Sequence, residues 1–480
     1  MNEKQVKDIT SRDVDFAKWY TDVVKKADLV DYSSVKGSMI IRPYGYAIWE
    51  NIVSILDKMF KDTGHENLQM PMFIPESLLN VEKEHVKGFA PEVAWVTQGG
   101  SSPLEERMCI RPTSEVLFCE HYKKIIKSHR DLPKLYNQWC TIVRWEKVTR
   151  PFLRSREILW QEGHTMHASE AEAREETLNM LHIYEKLQKD YLALPVLIGK
   201  KTDKEKFAGA VETYTLEAMM YDGVALQNGT SHYLGQGFSK AFGIEYLDKE
   251  QKLVNPYQTS WGVSTRMIGG IIMTHGDDRG LVLPPKIAPI QVCIIPIGKF
   301  EENDSLDTLI KNIRQELTKE NITSIIDNSD KSPGFKFAEA EVRGYPIRIE
   351  VGARDLNENK ITVVRRDTLE KITLPANVDE ITRKITYLLK DIQDNLYKTA
   401  ESRRNSMLYT ASDWDELTMT AQKPGFTMIS WCGDEECEDK IKNDLGLKSR
   451  CIPFDLQEEL NNCPCCNKSG KFNTYFGKQY

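Results

Sequence analysis

The stretch VRWEKVTRPFLRSREILWQEGHT, residues 143–165, reads as one strand-like run, an arginine-rich loop, and a second strand-like run returning. Strand side chains alternate faces, so Arg144 and Glu146 are predicted to share one face while Val143 and Trp145 take the other. A cation beside a carboxylate is either a surface ion pair, which contributes little, or part of a charged site. The rest of the chain has to decide between them.

At 480 residues the chain exceeds one ordinary core, and two or three domains are expected. Its 40% hydrophobic and 28% charged residues suit a globular protein. No apolar run reaches the length of about 18 residues that a transmembrane helix needs, so no membrane partner is expected. The opening MNEKQVKDITSRDVDFAKWY is charged and lacks an apolar signal region, which predicts a cytoplasmic protein. A net charge of −7 excludes generic polyanion binding and leaves nucleic-acid contact to local basic patches. Of 10 cysteines, Cys109, Cys119, Cys140 and Cys293 are scattered and read as buried small hydrophobes, whereas six crowd between Cys432 and Cys466. Without a secretion signal, that crowding points to metal rather than disulfides.

Residues 39–60 place Ile48, Ile52, Ile55, Leu56 and Met59 at helical spacing. Strand-like runs follow in NLQMPMFIP, ERMCIRPTS and YNQWCTIVRWE. Ser169 and Glu172 form a capping box ahead of a long helix. Strands resume through GVALQNGTSHYLGQGF, where Asn228-Gly229 has the composition of a tight hairpin turn. Strands interrupted by few helices predict an antiparallel sheet with helices packed on it. Pro284, Pro285 and Pro289 read as a stiff linker into a second unit that alternates strand and helix, an α/β domain. A helix over 377–403 leads to the cysteine-rich end.

In this context the stretch 143–165 resembles motif 2 of the class II aminoacyl-tRNA synthetases. Arg144-x-Glu146 stands on the first strand, and Arg154, Ile158 and Glu162 fit the return spacing, with Ile158 where the general pattern has Phe. RPTSE, LQNGTSHYLGQ and SWGVSTRMIGGIIMTHGDDRGLVLPP resemble the archaeal/eukaryotic-type prolyl branch of class IIa, and the likeness runs from DFAKWY to the terminal YFGKQY. The resemblance implies an antiparallel-sheet catalytic domain over 1–284, an α/β anticodon-binding domain over 289–395 and a small α+β zinc-binding domain over 396–480. It implies activation of L-proline by ATP and transfer to tRNA(Pro), with Mg²⁺ accompanying ATP, and a homodimer joined through the region around Pro71.

The chemistry makes sense of the residue types. Activation brings a carboxylate up to the α-phosphate, and a guanidinium between two anions neutralises both. Arg144 is assigned that place. By resemblance Glu146 accepts from the adenine amino group, Arg154 and Ser155 lie in the loop closing over ATP, and Gln227 and Thr230 contact ATP. The same resemblance implies that Arg266 holds the γ-phosphate, with Ser264 nearby. Thr113 and Glu115, read as one face of a strand, are assigned by the resemblance to the secondary ammonium of proline, and His232 to a proline contact. Ile158 offers adenine an apolar wall without aromatic stacking. His164 and His167, three apart on a strand, face opposite ways and do not form a metal pair. Phe337, Glu341, Arg348, Arg365 and Arg366 are expected on one anticodon-binding surface, since arginine and aromatic groups suit unstacked bases; a solvated charged face is the competing reading.

In the tail, Cys432-x4-Cys437 and Cys463-x2-Cys466 offer four thiolates for a tetrahedral Zn²⁺, with Cys465 an alternative to Cys466 and reduced, non-ligating cysteines the other reading. Between Glu162 and Gly262 the chain is filled by a helix and strands, leaving no room for an inserted editing module. Two rivals stay open on sequence: a non-catalytic tRNA-binding paralogue, which is expected to lose Arg144 and Arg266, and a class IIa enzyme for another amino acid.

Overall fold

The computed structural model describes residues 9–81, 93–298, 304–457 and 460–480; the charged start at 1–8 falls outside them. The arginine-rich stretch closes a long hairpin. Strand Lys134–Val143 pairs antiparallel with strand Glu157–His167, from Lys134↔Met166 to Val143↔Glu157. The first strand stops before the charged pair. The Arg144 amide still donates to the Arg156 carbonyl at 2.9 Å, but the Glu146 amide folds back onto the Arg144 carbonyl at 2.7 Å. That tight turn takes the chain out of extended geometry, so Arg144 and Glu146 stand on a loop, not on the predicted strand.

The hairpin joins strands Tyr257–Ser264, Ala225–Gly235, Glu212–Met219 and Val196–Lys200 in one antiparallel sheet. Helix Glu170–Asp190 covers it, opened by the predicted Ser169–Glu172 box and buried through Met180, Leu181, Tyr184 and Leu187. Helix Arg266–His275 packs beside it, with Met267 through Thr274 buried. The helix expected over 39–60 runs Pro43–Asp62, starting four residues later than its periodicity suggested, because Met39–Ile41 pairs with Val30–Tyr32. Pro43 suits a first helical turn, where its missing N–H has no partner to lose.

Two further expectations are corrected. Asn228-Gly229 is not a turn but a bulge inside strand Ala225–Gly235, with the register slipping between Leu216↔Gly229 and Glu217↔Gln227. The turn lies at 221–223, where the Met220 amide donates to the Val224 carbonyl at 3.0 Å and Gly223 has φ +77°. Glycine at 229 serves close packing instead, since a Cβ there would sit 2.9 Å from Val263. The Thr113–Glu115 segment is also no strand: the preceding strand ends at Ile110, and Glu115 opens helix Glu115–Ile125.

The second unit is a five-stranded sheet. Strand Val292–Ile297 runs parallel to Ser324–Ile326 and Ile347–Gly352, and Lys360–Arg365 and Lys371–Pro375 extend it antiparallel. The proline-rich connection into it is buried, with Leu281 donating to the Val342 carbonyl at 3.0 Å. Helix Val378–Ser406 then crosses to the C-terminal strands. These do not form a separate sheet: strand Lys448–Pro453 pairs with Val196–Lys200 and extends the catalytic sheet. The approach requires Gly199, where a Cβ would lie 2.2 Å from the Ile452 carbonyl oxygen.

Candidate active site

The antiparallel sheet floors a cleft of about 280 Å³. Period-two alternation along the return strand aims Ile158, Trp160, Glu162 and His164 into it. The neighbouring strands add Gln227, Thr230, His232, Ser260 and Ser264, and Arg266 enters at the start of its helix. Thr113 and Glu115 stand at the cleft with Arg144.

At the arginine end, Arg144 donates through Nε to the Pro112 carbonyl at 3.2 Å and lies 5.3 Å from the Trp160 ring centre. Arg266 is held by the Leu153 carbonyl at 3.2 Å and the Gln227 carbonyl at 3.4 Å, and the Ser264 hydroxyl caps its amide at 3.2 Å. Burial and the charges of Arg144 and Arg154 pull its pKa down to about 10. The like charges of these groups repel one another.

At the other end, the Thr113 hydroxyl donates to Glu115 at 2.5 Å, and both residues are buried. The His232 Nδ1 lies 2.9 Å from the Thr213 hydroxyl, and burial together with His164 pushes the ring down to about 3, so it is neutral. Sequence reasoning did not single out Glu162 as a positioning group. Its carboxylate takes the Ser114 amide at 3.1 Å, the Ser114 hydroxyl, Gln138 Nε2 at 2.6 Å and His164 Nε2 at 3.1 Å. Burial opposes its ionisation, but these bonds, that from His164 foremost, keep its pKa low. Glu162 therefore pins the turn that carries Thr113 and Glu115. The alternation Ile158–Trp160–Glu162–His164 was the available signal. His167 faces the other way, bonded to Thr165 at 2.7 Å, as expected.

Several predicted residues lie elsewhere. Glu146 does not line the cleft; it sits 3.6 Å from Arg154. Arg154 lines an adjoining cavity of about 360 Å³ that shares Gln227 and Arg266 with the cleft and is bordered by Gln479 and Tyr480. Ser155 turns away altogether, donating to the Glu157 carbonyl at 2.5 Å beside a different cavity with Phe152 and Leu159. The expected anticodon surface fares worse. Arg348 is buried against Phe337 and bonds Glu341 and Glu350, each at 2.9 Å. Arg365 grips Asp367 and Asp391, and Arg366 grips Asp277 at 2.8 and 2.5 Å. These buried forks are occupied by carboxylates and are not presented to bases; sequence could not show which acid each would find. Arg366 instead ties the second unit to the catalytic one.

The cysteine cluster passes a geometric test. Sγ atoms of Cys432, Cys437, Cys463 and Cys466 lie within 4.8 Å of one another, with Cys432 3.7 Å from Cys437 and 3.6 Å from Cys466. Zinc–thiolate bonds of about 2.3 Å in a tetrahedron put sulfurs about 3.8 Å apart, so this donor set fits the ion. Cys465 bonds the Cys437 carbonyl instead at 3.7 Å.

Known proteins match along the entire chain. Residues 95–275 match the family described as tRNA synthetase class II core domain (G, H, P, S and T), residues 291–386 the anticodon binding domain, and residues 414–480 the prolyl-tRNA synthetase C-terminal family. A proline–tRNA ligase of Clostridium novyi is 57% identical over 480 residues, covering 100% of this chain and 99% of that protein. Proline–tRNA ligase 2 of Bacillus cereus is 54% identical over 482 residues, covering both chains fully at 100%. The crystal structure of prolyl-tRNA synthetase from Cryptosporidium parvum complexed with halofuginone and AMPPNP superposes with a TM-score of 0.95 at 40% identity, covering 99% of this chain and 100% of that one. With sequence likeness over its full length and the same fold around a cleft of paired arginines, the chain belongs to the prolyl-tRNA synthetase family.

Proposed function

We propose that the cleft activates L-proline with ATP and delivers the prolyl group to tRNA(Pro), with the residue roles that follow. The observation carrying this reading is the division of one cleft: Arg144 and Arg266 toward one end, Thr113, Glu115 and neutral His232 toward the other. A proline zwitterion spans such a site. Its ammonium meets the Thr113–Glu115 pair, and its carboxylate meets Arg144. The carboxylate attacks the α-phosphorus and pyrophosphate departs, so no protein nucleophile is required. Arg144 screens the two anions from each other, and Arg266 takes the outer phosphates. Neutral His232 packs and hydrogen-bonds without repelling the ammonium. Arg154, exposed and loosely paired with Glu146, is free to swing over the nucleotide.

Mg²⁺ would accompany ATP, and Zn²⁺ would be held by Cys432, Cys437, Cys463 and Cys466 as a staple for the small C-terminal module. Met72 and Phe73, which follow the exposed Pro71, are themselves 43% and 46% exposed, and this apolar stretch at the surface supports a homodimer through that region. No described helix is long and apolar enough to cross a membrane, and a cytoplasmic location suits a translation enzyme. The test is proline-dependent ATP–pyrophosphate exchange by wild type and Arg144→Ala. Losing one contact made in the transition state is expected to cost about 2.7–4 kcal/mol; a folded variant exchanging at the wild-type rate removes Arg144 from this role.

A further inference from the structure

One wall of the cleft does not come from the sheet. Residues 201–211 leave strand Val196–Lys200, bring Glu205 and Phe207 to the cleft, and return as strand Glu212–Met219. The Phe207 ring centre lies 4.6 Å from that of His232. The Phe207 amide donates to the Thr213 hydroxyl at 2.9 Å, and the same hydroxyl meets His232 Nδ1 at 2.9 Å. The segment has neither helix nor strand of its own to hold this shape.

The C-terminal module holds it. The Thr202 hydroxyl donates to Glu438 Oε1 at 3.1 Å, and the Ser449 hydroxyl donates to the same oxygen at 2.5 Å. All three residues are buried. Next to them Lys201, also buried, pairs with Glu217 at 2.7 Å, and Arg450 approaches Glu217 at 3.8 Å. Lys204 meets Asp439 at the surface, a pair too exposed to contribute much. Glu438 directly follows Cys437 on helix Glu435–Leu445, so the cysteine cluster and the wall of the cleft share one helix.

We infer that Glu438 is a positioning residue for amino-acid recognition, holding the 201–207 segment through Thr202 so that Phe207 and Glu205 close the proline end of the cleft. The inference rests on that end being the amino-acid pocket. A buried hydrogen bond to a carboxylate fixes the segment in one arrangement; without it the wall loosens while the arginine end, carried by other elements, keeps its shape.

The test uses full-length Thr202→Val, which removes only the hydroxyl, Glu438→Ala, and the double variant, each checked for zinc content and thermal unfolding. His232→Ala serves as the pocket control. In proline-dependent pyrophosphate exchange, each single variant should raise KM for proline about threefold to tenfold, the size of one such contact. KM for ATP should move less than about twofold, and the double variant should do no worse than the worse single one, because both break the same link. A general loss of structure would move both KM values together. If Glu438→Ala does not fold, Thr202→Val, outside the cysteine module, decides alone. The inference is overturned if folded variants keep the wild-type KM for proline while His232→Ala raises it, or if the KM for ATP rises equally. An unaltered KM in His232→Ala instead refutes the pocket reading, and the inference falls with it.

Discussion

Replacing Arg266 by methionine separates a binding residue from a structural one. In the free protein the guanidinium is half-buried and crowded by Arg144 and Arg154, which draws its pKa below the usual guanidinium range to about 10. A folded-state pKa below the unfolded one disfavours the charged form, so at neutral pH the native state carries the desolvation, and after it the repulsion, as a cost. At about 1.4 kcal/mol per unit this amounts to about 3 kcal/mol before solvent screening reduces it. Against it stand two long hydrogen bonds, to Leu153 at 3.2 Å and Gln227 at 3.4 Å, together contributing about 1–2 kcal/mol. Arg266→Met should therefore unfold, without nucleotide, at close to the wild-type temperature. Addition of Mg·ATP should raise the melting temperature of the wild type and leave that of the variant nearly unmoved. Pyrophosphate exchange should fall by about 10²–10³, the loss expected for one preorganised donor. A variant that is grossly destabilised without ATP, or one that is stabilised by ATP as the wild type is, refutes the reasoning.

The cysteine cluster predicts about one zinc per chain, and Cys437→Ser should lower that content and loosen the C-terminal module; a metal-free, fully active preparation would retire the site. Alanine is smaller than proline by methylene groups worth only about 1–3 kcal/mol each in discrimination, so measurable alanine activation is expected. Glu162 pairs directly with Gly262 in the sheet, and the chain between them forms the covering helix and sheet strands. The purified chain should therefore not hydrolyse alanyl-tRNA(Pro), and deacylation well above the enzyme-free background would contradict this. Burial drives His275 from 6.5 to about 4. The unfolded chain then takes up a proton first, so the stability from this site is complete above about pH 6.5 and falls by about 1.4 kcal/mol per unit down to about pH 4. His275→Gln should flatten the loss of unfolding free energy between pH 7 and 5 by about 2 kcal/mol, measured in urea.

What the sequence determined by itself was local pattern and chemical type. The capping box at Ser169 and Glu172, the return strand through Ile158 and Glu162, and the four-thiolate spacing are short-range facts, set by backbone periodicity and ligand chemistry, and the fold keeps each. The pairing of Arg144 with Arg266 in one cleft was legible only through resemblance, because 122 positions (266 − 144) separate them. Side-chain direction and partner choice belonged to tertiary structure. Ser155 lies one residue from Arg154 yet faces another cavity, since neighbours in an extended loop point apart. Arg348, Arg365 and Arg366 carry the composition of a nucleic-acid surface, but each is buried against a carboxylate, one of them from the catalytic unit. Asn228-Gly229 has the composition of a turn but forms a bulge inside a strand, where a Cβ at Gly229 would sit 2.9 Å from Val263. Nor does any local signal join Thr202 to Glu438, which are 236 residues apart and meet only because Gly199 lets the last strands add to the catalytic sheet. Periodicity reports which way a residue faces within its own element; what it faces depends on which elements the whole chain packs together.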